Sequence, residues 1–281
     1  MTLKKLSDSR CFGGSQQVWS HESEATGCTM RFGVFLPPQA ASSRVPVLWW
    51  LSGLTCTEEN FIVKAGAQRA AAELGLALVI PDTSPRGVTL PGDRESWDFG
   101  VGAGFYVDAV REPWSRHYQM RRYITQELRT LVAVSFPIDD ARTAMSGHSM
   151  GGHGALTIAL TEPDWIRSVS AFAPIASPMR CSWGEKALAG YLGEDRSAWA
   201  PYDATALIQS QGWSGPRILV DQGQADPFLE TQLKPELLAQ ACEAAGVPLQ
   251  LRLQAGYDHG YFFVSTFIEE HIAFHAAALH A

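Results

Sequence analysis

The 281-residue sequence contains no apolar run approaching the roughly 18 residues that a membrane helix needs; even Val45 to Leu54 is interrupted by Pro46, Ser52 and Gly53. No membrane partner is therefore expected. A basic excess is also missing: 22 Lys and Arg stand against 29 Asp and Glu, for a formal net charge of -7. That balance argues against broad nucleic-acid or anionic-membrane binding and points to a small-molecule partner. The first ten residues carry Lys4, Lys5 and Arg10 but no apolar core of signal-peptide length, so export by that route is not expected. The five cysteines, Cys11, Cys28, Cys56, Cys181 and Cys242, are scattered and form no C-x-x-C pair, which gives no sign of a zinc or redox site and fits a reducing cytosol. No internal repeat is present. What remains is a chain with 46% hydrophobic and 18% charged residues, able to bury one sizeable core, and residues 1–281 are expected to form a single domain.

Hydrophobic patterning supplies the organisation. Met30 to Leu36 and Val45 to Leu51 read as strands, the second a nearly unbroken apolar run of the kind buried on both faces of a sheet. Phe61 to Leu74 has helical spacing with Gly75 placed to end it, and Leu76 to Ile80 is again a buried strand. A helix from about Tyr118 to Val132 leads to a strand at Arg142 to Ser146, and the chain is helical again from Gly151 onward. Strands at Ser168 to Ala173, Arg217 to Asp221 and Leu249 to Leu253 then alternate with helices near Pro235 to Ala245 and Tyr261 to Leu279. Such alternation predicts an α/β fold with a central, mostly parallel sheet flanked by helices. Two stretches break the rhythm, 82–114 and 174–215. Both are rich in aromatics and are expected to be loops that cover a site.

Gly147-His148-Ser149-Met150-Gly151 fits G-x-S-x-G, the nucleophile elbow of the α/β-hydrolase fold, in which a tight strand-to-helix turn lifts a serine above the sheet edge. A strand before the pentapeptide and a small, helix-compatible stretch after it supply the context that the motif requires. A serine hydroxyl is a poor nucleophile at neutral pH and needs an imidazole to take its proton. Of the eight histidines, His271, His275 and His280 lie along the last helix and read as packed or solvated, His21 and His117 lie far from the elbow, and His148 and His153 flank the serine too closely. His259, in a loop after the last strand, stands where this fold places its base. The carboxylate that orients it is read as Asp226, past the Gly223 turn, with Asp221 at the strand end and Asp258 as alternatives. The amide of Met150, directly after the serine, is preset to donate to an oxyanion, and the second donor is read as Leu54 with Gly53 next in line.

The sequence resembles S-formylglutathione hydrolase, the esterase D family, over nearly its full length. The likeness is carried by Leu51-Ser52-Gly53-Leu54-Thr55-Cys56-Thr57-Glu58-Glu59-Asn60-Phe61, by Pro81-Asp82-Thr83-Ser84-Pro85-Arg86-Gly87, and by Glu95-Ser96-Trp97-Asp98-Phe99-Gly100 with Gly102 to Ala109. The elbow with its helix, Ser170 to Ile175, and Gly256-Tyr257-Asp258-His259 extend it. The resemblance implies two-step hydrolysis of a glutathione thioester to glutathione and formate, the closing step of glutathione-dependent formaldehyde removal. No metal or other cofactor is implied. It also implies Ser149, Asp226 and His259 as the triad, Leu54 and Met150 as oxyanion donors, and a homodimer as the assembly common in the family. Gly53, Cys56, Trp97, His148 and Trp183 are expected to line the substrate pocket. Cys56 is read as a bystander rather than a nucleophile, since nothing around it resembles the elbow. Lys64, Arg86 and Lys186 are candidates for gripping the glutathione carboxylates. A general short-chain carboxylesterase would use the same triad, whereas a non-catalytic binding protein would not require it.

Overall fold

A computed structural model describes residues 2–281. Among the described residues nine strands join in one sheet: β1 (Lys4–Cys11), β2 (Gly14–Ser23), β3 (Cys28–Leu36), β4 (Val45–Leu51), β5 (Ala77–Pro81), β6 (Ile138–Gly147), β7 (Ile166–Phe172), β8 (Ile218–Gly223) and β9 (Leu249–Gln254). Their spatial order is β1-β2-β3-β5-β4-β6-β7-β8-β9. Every junction from β5 to β9 is parallel, while β1, β2 and β3 are added antiparallel at one end. The helices are α1 (Glu58–Lys64), α2 (Gln68–Glu73), α3 (Met120–Arg122), α4 (Arg129–Ser135), α5 (Met150–Thr161), α6 (Ser182–Leu192), α7 (Ala204–Gln211), α8 (Pro235–Ala245) and α9 (Tyr261–His280). None is long and apolar enough to cross a membrane.

The mostly parallel sheet with flanking helices is the expected architecture, and β4, with all seven residues buried, is its apolar centre. Trp50 stacks on Phe61 of α1 at 4.0 Å between ring centroids, which ties β4 to the helix that follows it. The chain leaves β4 for β5 on one side and then crosses to β6 on the other. This change of direction opens a crevice at the carboxyl ends of β4 and β6, the place where open α/β sheets bind ligands.

Several elements differ from the sequence reading. The predicted helix over 61–74 begins at Glu58, because Thr57 and Asn60 form a reciprocal cap, and divides into α1 and α2 at Gly66, whose φ of 71° is left-handed. The predicted helix over 118–132 runs from Met120 to Ser135 and passes through a wider π-type turn at Tyr123–Leu128. Segment 174–215 is not all loop: it contains α6 and α7. The hairpin β1–β2 went unpredicted. β1 is exposed along nearly its whole length and β2 buries Gln16 and Gln17, so neither strand displays apolar alternation.

A polar network fastens α9 to the sheet. His271 Nε2 lies 3.0 Å from Asp221 Oδ2 and its Nδ1 lies 2.8 Å from Ser170 Oγ. His275 bridges Ser170 and Ser168 at 2.8 and 2.9 Å. With protons on Nε2, His271 donates to Asp221, and His275 donates to Ser170 and accepts from Ser168, while the single Ser170 hydroxyl proton is directed to Ser146 Oγ at 2.8 Å. His275 is then fully bonded as a neutral ring. Both side chains are fully buried, and burial lowers their affinity for a proton, for His275 to well below the ordinary histidine range. In the unfolded chain they titrate near 6.5. Below that pH the unfolded chain binds more protons than the folded one, so stability present above about pH 6.5 is lost as pH falls. The expected result is a melting temperature that declines from pH 7.5 to 5, with a shallower decline in His275→Gln. Equal slopes for wild type and variant in thermal melts would contradict this account.

Candidate active site

The elbow is built by steric demand. Ser149 has φ 59° and ψ -119°, a strained conformation held by its N–H donating to Phe172 O at 2.9 Å and by His148 N–H donating to Leu51 O at 3.0 Å. A Cβ on Gly151 would lie 1.9 Å from Leu51 O, and one on Gly147 would lie 2.3 Å from Gly151 O. Both positions therefore require glycine. α5 begins at Met150, so the first amides of the helix face the same space as the serine.

The loop after β4 is pressed against this turn. A Cβ on Gly53 would lie 3.2 Å from both Ser149 Cβ and His148 O, which places the backbone of 53–54 beside the serine. Thr55 adopts a left-handed φ of 67° and donates its N–H to Gly102 O at 2.8 Å, while Tyr106 donates its hydroxyl to Ser52 O at 2.7 Å. Segment 100–106 thus braces the loop from outside. Among the described residues, neither Leu54 N–H nor Met150 N–H donates to another backbone group, so both are free to meet a ligand oxygen.

On the other side of the serine, the loop after β9 delivers His259 and the loop after β8 delivers Asp226. His259 Nδ1 lies 2.6 Å from Asp226 Oδ2. The second carboxylate oxygen of Asp226 accepts from Phe228 N–H at 2.9 Å, and Gln222 Nε2 donates to Oδ2 at 3.3 Å. The carboxylate is thereby aimed, and His259 is left with Nε2 outward. Asp221, the alternative at the strand end, is engaged elsewhere: Arg252 grips it, and Gln254 and His271 also donate to it. Among the described residues, the Asp258 side chain accepts only from Gly260 N–H, on the surface. Ser149 Oγ, 3% exposed as a residue, forms no hydrogen bond within the described residues and is free to rotate toward a base, as catalytic serines often are before substrate binds.

The expected pocket residues converge. Trp97 packs edge-on against Trp183 at 5.2 Å, Trp183 against Phe228 at 4.7 Å, and Phe228 against His259 at 5.2 Å, so the two aromatic-rich segments reach the imidazole through one chain of rings. His148, set aside as the base but expected in the pocket, lies beside the imidazole of His259. Its ring lies 4.5 Å from that of His259, buried with both nitrogens unpartnered among the described residues, and burial, with His259 alongside, pushes its proton affinity well below the histidine range. Burial likewise raises the Cys56 thiol, which disfavours the thiolate that a nucleophile would need. Among the proposed carboxylate-gripping cations, Arg86 is tied to Asp82 at 2.8 Å and to Cys56 O at 2.7 Å, Lys186 is paired with Asp98, and Lys64 lies over the Tyr261 ring. Phe228, Gln222 and Tyr106 were not identified from sequence, because an aromatic or amide that supports a site carries no motif of its own.

Comparison with known proteins identifies the relatives of the chain. The Esterase family model, described as "Putative esterase", matches residues 23–274. The chain is 54% identical to mouse S-formylglutathione hydrolase over the whole of both chains, and 51% identical to the Arabidopsis thaliana protein of that name over 99% of this chain and 98% of that one. Among solved structures it superposes on an S-formylglutathione hydrolase from Agrobacterium tumefaciens with a TM-score of 0.96 at 49% identity, covering 98% of this chain and 99% of that one. A Staphylococcus aureus fluorophosphonate-binding serine hydrolase, 20% identical with a TM-score of 0.75 over 94% of this chain and 98% of that one, shares the fold. The chain belongs to the S-formylglutathione hydrolase family.

Proposed function

We propose that the protein hydrolyses S-formylglutathione to glutathione and formate, with Ser149 as nucleophile, His259 as general base and acid, and Asp226 as its orienting carboxylate. The observation that carries this reading is the 2.6 Å contact between His259 Nδ1 and Asp226 Oδ2, set beside a strained serine at a sheet crevice. Asp226 accepts a hydrogen bond from Nδ1–H and so leaves Nε2 as the basic nitrogen. Ser149 Oγ attacks the formyl carbon as its proton moves to His259 Nε2, and a C–O bond forms. The carbonyl oxygen becomes an oxyanion, which the Met150 and Leu54 amides stabilise. Collapse breaks the C–S bond, and the proton held on His259 passes to the departing sulfur to give glutathione. Water then enters, loses a proton to His259 and adds to the formyl-serine. Breaking the serine C–O bond returns that proton to Oγ and releases formic acid, which ionises to formate in solution.

In this mechanism carbon–sulfur cleavage draws on His259 as acid and on the Met150 and Leu54 amides as donors. The aromatic chain Trp97–Trp183–Phe228 supports segments 82–114 and 174–215 as the cover of this site within a single domain, where they limit water at the reacting carbon. The proposed setting is formaldehyde removal in the cytoplasm, with a homodimer as the assembly.

Ser149→Ala is expected to lower turnover roughly 1,000-fold or more and to abolish labelling by a fluorophosphonate probe, with His259→Ala comparably severe because the two act as one unit. Near-normal turnover in Ser149→Ala would refute the assignment. Wild-type kcat/KM for S-formylglutathione is expected to exceed that for 4-nitrophenyl acetate by at least about 100-fold, a margin that binding of the leaving group contributes. Equal values would favour a general carboxylesterase.

A further inference from the structure

A second cavity, of about 560 Å³, opens at the carboxyl end of β5 and contains none of the three proposed triad residues. Its walls include Thr29 and Arg31 from β3, Glu58 and Glu59 from α1, and Asp82 and Arg86 beyond β5. The charges on these walls are unevenly matched. Asp82 and Arg86 satisfy each other, with Arg86 Nε 2.8 Å from Asp82 Oδ2. Glu58 and Arg31 do not. Glu58 is only 2% exposed, yet among the described residues its carboxylate has no ion-pair partner and accepts no hydrogen bond from another residue. Arg31, on the rim, is likewise unpaired. The two are close enough for Arg31 to favour the charged form of Glu58 without touching it, although burial, foremost, and Asp82 oppose that charge. A buried carboxylate without a cation is costly, and a free guanidinium facing the same space has no anion. A molecule carrying an ammonium and a carboxylate on one carbon answers both.

The position of the cavity relative to the elbow narrows the choice. β5 lies two strands from β6, or about 10 Å at ordinary strand spacing, with β4 and its Gly53–Thr57 loop between them. In S-formylglutathione the γ-glutamyl α-carbon, with its ammonium and carboxylate, lies roughly 10 Å from the formyl carbon when the chain is extended. Arg86 donates to Cys56 O at 2.7 Å and Thr57 caps α1, so the cavity wall and the proposed oxyanion loop are one continuous segment.

We propose that this cavity holds the α-amino acid head of the γ-glutamyl residue, its ammonium against Glu58 and its carboxylate against Arg31. The assignment rests on the S-formylglutathione reading and adds to it the site that selects the leaving group. It makes Glu58 and Arg31 specificity residues that act on binding and do not touch the reacting atoms.

The test uses S-methylglutathione and S-methyl-cysteinylglycine, which lacks the γ-glutamyl group, as inhibitors of 4-nitrophenyl acetate hydrolysis by wild type, Glu58→Gln and Arg31→Ala. Thermal melts verify that each variant is folded. In the wild type S-methylglutathione is expected to inhibit at least about ten times more tightly than the truncated compound, and in either variant that margin is expected to collapse. With S-formylglutathione as substrate, the variants are expected to raise KM about tenfold while kcat changes less than about threefold. A margin that survives in both variants, or that is absent from the wild type, overturns this site and leaves the parent reading standing. Wild type that hydrolyses S-formylglutathione no better than the acetate ester overturns both.

Discussion

The close approach of the Leu51 carbonyl to the turn at Gly147 and Gly151 is the constraint on which the rest of the site depends. No side chain fits between them, so parallel pairing of β4 with β6 runs to the last residue of both strands, and the 52–54 loop lies against the serine. One backbone contact therefore sets two things together: the strained φ of Ser149 and the nearness of the free Leu54 amide. The energy stored in that strain is held by hydrogen bonds to β4 and β7 and by the fully buried apolar strand behind them. Precision here comes from packing of the sheet and not from the loops alone, which explains why the bracing residues Tyr106 and Gly102 lie far from the elbow in sequence.

Two aspartates five residues apart illustrate how location assigns a role. Asp221 sits inside the end of β8 and is fully buried, so it must be neutralised, and Arg252, Gln254 and His271 surround it. Asp226 lies beyond the strand, where a turn carries it over the sheet edge. It receives two neutral donors, Phe228 N–H on one oxygen and Gln222 on the other, and the latter oxygen also faces His259 Nδ1. The first carboxylate fastens α9 to the sheet and the second orients the imidazole. Exchanging their positions would leave a buried charge unpaired and a histidine without direction.

Much of this was legible in the sequence. The apolar run Val45–Leu51 and the alternation of strands with helical patterns predicted the parallel sheet, and the glycines around Ser149 predicted its turn, because steric exclusion leaves a direct trace in residue type. Choosing Asp226 over Asp221 rested on loop position, and the structure places Asp226 against His259. Less legible were features that depend on tertiary partners. The β1–β2 hairpin carries polar residues on both faces, so its pairing has no periodic signal beyond the Phe12-Gly13 turn, where both residues adopt positive φ. His148 is read from sequence as a pocket residue too near the serine to be its base, but its packing against the ring of His259 carries no sequence signal. The helices in 174–215 were hidden by short length and by aromatics that suggested a loop.

The polar hairpin has a consequence for the molecule outside its chemistry. An open sheet ends in two edges, and an edge of apolar strand offers unpaired amides and carbonyls to any neighbouring chain. Here the antiparallel addition of β1, β2 and β3 moves that edge three strands away from β5 and finishes it with Lys4, Lys5, Asp8 and Arg10, whose charges and hydration discourage sheet extension. The fully buried apolar strand, Val-Pro-Val-Leu-Trp-Trp-Leu, stays in the interior of the ladder. The hairpin therefore guards this end of the sheet against extension by a second chain.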